Sequence, residues 1–190
     1  MPTLLSLGMH MIMSFQFNGV ELLLEDYEMN FYLNGAILGS SHLLACILTV
    51  WIEKACPRRM GVIVPEAITL VIGAALLFWL PCLHENECSS GQRNIQTILL
   101  FCYRFSVAFA YNLFYLGQAE FYPSQIRSIG MMTTSITMRF GVMLVPPIQA
   151  FFHAHDLSIF ITFLISSLLM ILFSIGFPET LGIKPPEIIE

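Results

Sequence analysis

Charge is the scarcest commodity in this chain: Lys, Arg, Asp and Glu make up only 11% of its 190 residues, against roughly 25% in a soluble domain. Too little charge is present to cover a water-facing surface. With 56% of residues hydrophobic and a mean hydropathy of +0.75, the default environment is a bilayer. The eight Lys and Arg form no basic patch, which excludes a nucleic-acid partner. The five cysteines include no CxxC pair and no metal-ligand spacing, so no metal site is read. Cys46 and Cys102 sit within apolar runs and behave as small hydrophobes. Cys82 and Cys88 flank a polar loop and would be able to pair if that loop faces an oxidising compartment. There is no phosphate-binding loop and no Ser-His-Asp arrangement. The chain is therefore not expected to be an enzyme, to need a cofactor or to pump at the expense of a nucleotide.

What is present is a set of six long apolar runs, at about 4–24, 30–52, 60–80, 95–119, 131–152 and 157–177. Each suffices for a hydrocarbon core of roughly 30 Å. The runs are joined by short polar connectors, which makes residues 1–190 one all-α, six-helix membrane domain. An even number of spans puts both termini on one side. Lys54, Arg58, Arg59, Arg127 and Lys184 fall on that side and Arg93 on the other, so both termini are expected in the cytoplasm. The membrane itself, plasma or internal, is left open.

Two basic residues fall inside spans, Arg104 and Arg139. A guanidinium keeps its proton, and near the bilayer centre it costs roughly 2.5–3.5 kcal/mol even on the mildest scale. Arg104 is followed at helical spacing by Ala108, Tyr111, Tyr115 and Gln118, and Arg139 has Ser135 one turn before it. Interhelical packing and a pathway lining both account for such a stripe. No carboxylate stands out as a mid-depth partner, because Glu21 lies toward the outer end of its run and Glu66 and Glu120 toward the cytoplasm. The missing partner is then a solute or residues of another chain. His42 reads as a packed polar residue, not a proton carrier.

The loop "AEFYPSQIRSIG" (119–130) and the tail "FPETLGIKPPE" (177–187) resemble the major facilitator superfamily, and more closely its organic cation, anion and carnitine transporters. Glu120, Tyr122, Pro123, Arg127 and Gly130 match that family's loop motif, with Ser124 for Thr and Ser128 for Asn. Pro178, Glu179, Thr180 and Gly182 match its tail, with Leu181 for Lys. "RFGVMLVPP" is similar to its eleventh span. Sugar porters share the tail, but their loop carries a second arginine where Gln125 stands. The connector "EKACPRRM" keeps the family's acidic and basic groups while Cys56-Pro57 replaces its glycine and adds a residue.

The resemblance covers the chain and implies the C-terminal six-helix half of a twelve-helix transporter, with the solute bound at mid-membrane between two rocking halves. At the position of Arg139 the family's cation-selective members have aspartate and its anion- and carnitine-handling members arginine. Arg139 is thereby expected to bind an organic anion or zwitterion, assisted by Arg104, Tyr111 and Tyr115. Glu53, Lys54, Arg58, Arg59, Glu120, Arg127 and Glu179 are expected to form a cytoplasmic gate, the alternative being a solvated basic rim. The chain opens inside a span without preceding charges, as a fragment would. A partner is expected, either a missing N-terminal six-helix half or a second subunit. The competing reading is a non-transporting membrane protein that serves as an interaction partner or half-subunit.

Overall fold

The computed structural model describes residues 2–25, 31–53, 57–79, 90–122, 125–155 and 160–176. They form α1 (Pro2–Glu25), α2 (Phe31–Ile52), α3 (Arg58–Trp79), α4 (Ser90–Phe121), α5 (Arg127–Met143), α6 (Val145–Ala154) and α7 (Phe160–Gly176), and no strand occurs among the described residues. The protein is an all-α membrane protein. Gly35–Ile52, Arg58–Leu77, Thr97–Gln118 and Arg127–Ala154 are each long and apolar enough to cross a bilayer. Helices α5 and α6 make one continuous crossing, so the seven segments amount to six helices. The interruption at Leu144 has a chemical cause: Pro146 and Pro147 lack the N–H groups that would have bonded back into α5. The Leu144 amide is shared between the carbonyls of Phe140 at 3.2 Å and Gly141 at 3.3 Å.

The first helix has the length to span but is interrupted by Ser6, His10, Ser14, Gln16 and Asn18. Its place in the bundle explains how lipid tolerates it. Met9, His10, Met13 and Gln16 are all buried, and α1 packs on α5, α7, α4 and α6. The bundle closes around it through contacts of α3 with α4 and α7 and of α2 with α4. One apolar cluster gathers Phe15, Leu76, Tyr103 and Phe163; a second gathers Met9, Met13, Val62, Phe114 and Met170. The outer faces carry Val50, Trp51, Val71 and Ile98 exposed, as a lipid-facing surface requires.

In lipid, helices associate by close packing and satisfied polar groups because the tails are as apolar as leucine. Two such devices fix the frame. Inside α3, the carbonyl of Pro65 accepts the Ser106 hydroxyl of α4 at 2.7 Å and that of Thr69 at 2.9 Å. Between α1 and α5, Gly141 lies so close to Met11 that a Cβ there would run into the Met11 carbonyl oxygen. Backbone meets backbone, and no side chain can rotate out of the way. Gly141→Ala is accordingly expected to cost at least the top of the usual overpacking range, about 3 kcal/mol. Gly39→Ala, where a new Cβ meets nothing within 4 Å, should be neutral or slightly stabilising. Thermal unfolding of both variants in detergent micelles checks the contrast.

Candidate functional site

A cleft of about 500 Å³ opens between α1, α2, α4 and α5, lined by Ser14, Phe17, Asn18, His42, Tyr111, Asn112, Tyr115, Ser135, Met138, Arg139 and Val142. Its geometry follows from helix periodicity. Ser14 and Asn18 are one turn apart on α1 and joined by an Asn18 Nδ2 bond to the Ser14 carbonyl at 2.8 Å. Tyr111 and Tyr115 are one turn apart on α4, with nearly parallel rings 6.4 Å apart. Ser135 and Arg139 are one turn apart on α5, and both are exposed. Gly141, two residues beyond Arg139, is what brings α5 against α1.

Arg139 is the cationic group of this lining. Among the described residues it makes no hydrogen bond and no ion pair. The walls near it are aromatic and hydroxylic, with Tyr111 donating weakly to the Met138 sulfur at 3.9 Å. A planar guanidinium with free donors, beside tyrosine faces, suits a carboxylate or sulfonate attached to an apolar body.

Arg104 is elsewhere. It is 2% exposed and outside the cleft lining. Its Nη1 donates to the Phe17 carbonyl, its Nη2 lies 3.6 Å from Glu21 Oε1, and its guanidinium carbon stands 3.6 Å above the Phe17 ring. The expectation that no carboxylate within the spans serves these arginines is therefore corrected for Arg104. Glu21 sits one turn beyond Phe17 on α1, so a side chain reaching across from α4 meets both. The Phe17 ring stacks in turn on Tyr111 at 5.0 Å and meets His42 edge-on at 5.5 Å. Arg104 thus reaches the cleft only through Phe17, whose ring it backs.

Sequence patterning missed Ser14, Phe17, Asn18 and Asn112 as lining residues. The signal was there in α1, whose polar positions Ser14, Asn18 and Glu21 recur on one helical face. His42, read as a packed residue, lines the cleft, and its Nε2 lies 3.7 Å from Cys46 Sγ.

Of the charges assigned to a gate, Glu53, Arg58, Arg59 and Arg127 stand at one end of the bundle, where α2 and α4 finish and α3 and α5 begin. Arg58 is buried and its Nη1 donates to the Glu53 carbonyl at 2.7 Å. Its stem lies against Gly117 of α4, where an added Cβ would meet the Arg58 Cβ and Cγ at 3.5 Å. Arg59 follows on the first turn of α3. Arg127 Nε donates to the Tyr122 carbonyl at 3.4 Å, and the Tyr122 ring covers Gly130, 2.8 Å from where a Cβ would stand. Glu120 stands in the last turn of α4, its side chain outside the described set. Lys54 and Glu179, like Cys82 and Cys88, lie outside the described residues.

No protein-family model matches the chain. Curated relatives do: solute carrier family 22 member 15 of Xenopus tropicalis is 29% identical over 97% of this chain and 34% of its own length. Organic cation/carnitine transporter 2 of Mus musculus is 26% identical over 99% of this chain and 32% of its own. Solute carrier family 22 member 6-B of Xenopus laevis is 29% identical over 93% of this chain and 30% of its own. The resemblance read from the loop and tail motifs thus leads to solute carrier family 22, whose members here include organic cation/carnitine transporters. The chain spans about a third of the length of these relatives.

The anchoring of Phe17 gives a contrast that stability measurements can read. Arg104→Ala removes a hydrogen bond from a charged donor and is expected to cost about 1.5–3 kcal/mol. Glu21→Gln, at a half-exposed carboxylate, should cost less than about 1 kcal/mol. Thermal melts of the two variants in the same detergent decide whether the carbonyl and ring contacts, and not the ion pair, hold Arg104.

Proposed function

We propose that the chain forms one wall of a transporter for small organic anions or zwitterions, with Arg139 as the counter-charge for the solute. The observation that carries this reading is a guanidinium with no internal ion partner among the described residues, facing a cleft walled by tyrosines. The names of the relatives supply the transport context, and the resemblance supplies an arginine at this position in anion- and carnitine-handling members. In this account Tyr111 and Tyr115 take the solute's apolar body, and Arg104 keeps the Phe17 ring in place from behind. Like-charge repulsion from Arg139 disfavours organic cations.

The cleft is bounded on one side only. Met132, Ile136, Arg139 and Phe140 of α5 and Leu43, Leu44 and Ile47 of α2 are exposed. We read these faces as the surface against which a second set of helices closes, from an N-terminal half or from another subunit. Transport then follows by alternating access, with both termini and the Glu53–Arg58–Arg59–Arg127 end facing the cytoplasm. Arg58, anchored to the Glu53 carbonyl and threaded past Gly117, is suited to tie α2, α3 and α4 at that end. A non-transporting membrane protein would show no dependence on Arg139.

Uptake of radiolabelled benzoate, with the remaining helices supplied from organic cation/carnitine transporter 2, tests the assignment. Arg139→Ala should lower uptake roughly 10- to 100-fold, as the loss of about 1.5–3 kcal/mol of charge-assisted bonding implies. Arg139→Asp should instead favour tetraethylammonium. Unchanged benzoate uptake in both variants would sink the reading.

A further inference from the structure

A second polar cluster lies away from the cleft, where α1, α3 and α7 meet. Glu66 of α3 is fully buried, as are Gln16 of α1 and Ser167 of α7, each 0% exposed. With its amide turned to satisfy both ends, Gln16 donates to Glu66 Oε1 at 3.2 Å. Its oxygen accepts from the hydroxyls of Ser167 at 2.8 Å and Ser166 at 3.1 Å. Tyr103 of α4 is 1% exposed, its ring 6.0 Å from that of Phe163 on α7.

The charge balance of this cluster is the anomaly. Among the described residues, no Lys, Arg or His pairs with Glu66. From α1 the ionisable groups are turned elsewhere: His10 is bonded to the Ser6 carbonyl at 2.8 Å and Glu21 to Arg104. From α4 only Tyr103 approaches. Residues 160–176 of α7 contain no ionisable side chain. Arg58 and Arg59, at the start of α3, are about two turns away along the helix axis. A bare carboxylate with neutral neighbours in a dry interior is heavily penalised, and such a group neutralises in preference to remaining charged. Gln16 turns its amide N–H toward the carboxyl, which leaves no inward-facing set of oxygens for a metal cation.

We propose that Glu66 is a proton-binding site built into the α1–α3–α7 junction, occupied in this arrangement of the helices. The O–H bond forms at a Glu66 carboxyl oxygen with a proton taken from water, and the Gln16 amide donates to the carboxyl. If α1 withdraws, Gln16 goes with it, water enters and the proton returns to water. A transport cycle that parts α1 from α3 would exchange one proton, a role that rests on the transport reading; the proton site itself does not.

Infrared difference spectroscopy of the 190-residue chain in lipid vesicles tests the site without any solute. The wild type at neutral pH should show a deuterium-sensitive carbonyl band of a protonated carboxyl that Glu66→Gln abolishes. Gln16→Leu, which removes the donor to the carboxyl and leaves Glu66 in place, should shift that band, and it serves alone if Glu66→Gln fails to insert. A wild type whose protonated-carboxyl signal is absent, or unchanged in both variants, would overturn the proposal. Benzoate uptake indifferent to Arg139 with the band intact would remove the transport role and keep the proton site.

Discussion

A bilayer offers nothing to hydrogen-bond with, and α1 is the helix that would suffer most from this. It brings Ser6, His10, Ser14, Gln16 and Asn18 into a membrane-embedded bundle. Each of the other helices can be placed by asking which part of α1 it satisfies or covers. Helix α4 sends Arg104 to its Phe17 carbonyl and to Glu21. Helices α3 and α7 enclose Gln16, α7 with a pair of serines and α3 with a carboxyl. Helix α5 comes close enough at Gly141 to touch its backbone. The polarity that interrupts α1 as a membrane span is what makes it the centre of the bundle.

The two spanning arginines illustrate how the same residue type acquires different roles from position alone. Arg104 projects inward from α4 and finds a carbonyl, a carboxylate and an aromatic face within reach. Its charge is consumed by the structure. Arg139 projects from α5 into an open cleft, beside tyrosine rings but with no hydrogen bond or ion pair among the described residues. The link between them is the Phe17 ring, backed by one guanidinium and stacked on the tyrosine that lines the other's cleft. Stability and recognition therefore meet at one side chain, and loosening Arg104 should disturb the cleft without removing any group that faces the solute.

Much of the architecture could be read in the sequence because apolar runs in a membrane are long and their ends are marked by charge. The six helices follow from the length of the apolar runs and the polar connectors between them. The pairing of Arg104 with Glu21 did not follow. Depth judged by position in a run ignores that a long side chain reaches a full turn along a neighbouring helix. Glu66 lies toward the end of its run, and its burial comes from packing against Gln16 and Ser167, which the run alone does not show. The contribution of α1 to the cleft was legible only as a weak recurrence of Ser14, Asn18 and Glu21, and a single helix does not say which neighbour its polar face meets.

The central claim is that Arg139, and not Arg104, meets the solute's negative charge. Magnetic dipolar recoupling between carboxyl-labelled benzoate and guanidinium nitrogens, in the lipid-embedded protein with arginine labelled, measures this directly. The account predicts a short carbon–nitrogen contact that vanishes in Arg139→Lys and persists in Glu21→Gln. A contact that survives loss of the Arg139 guanidinium, or no contact at saturating benzoate, would contradict it.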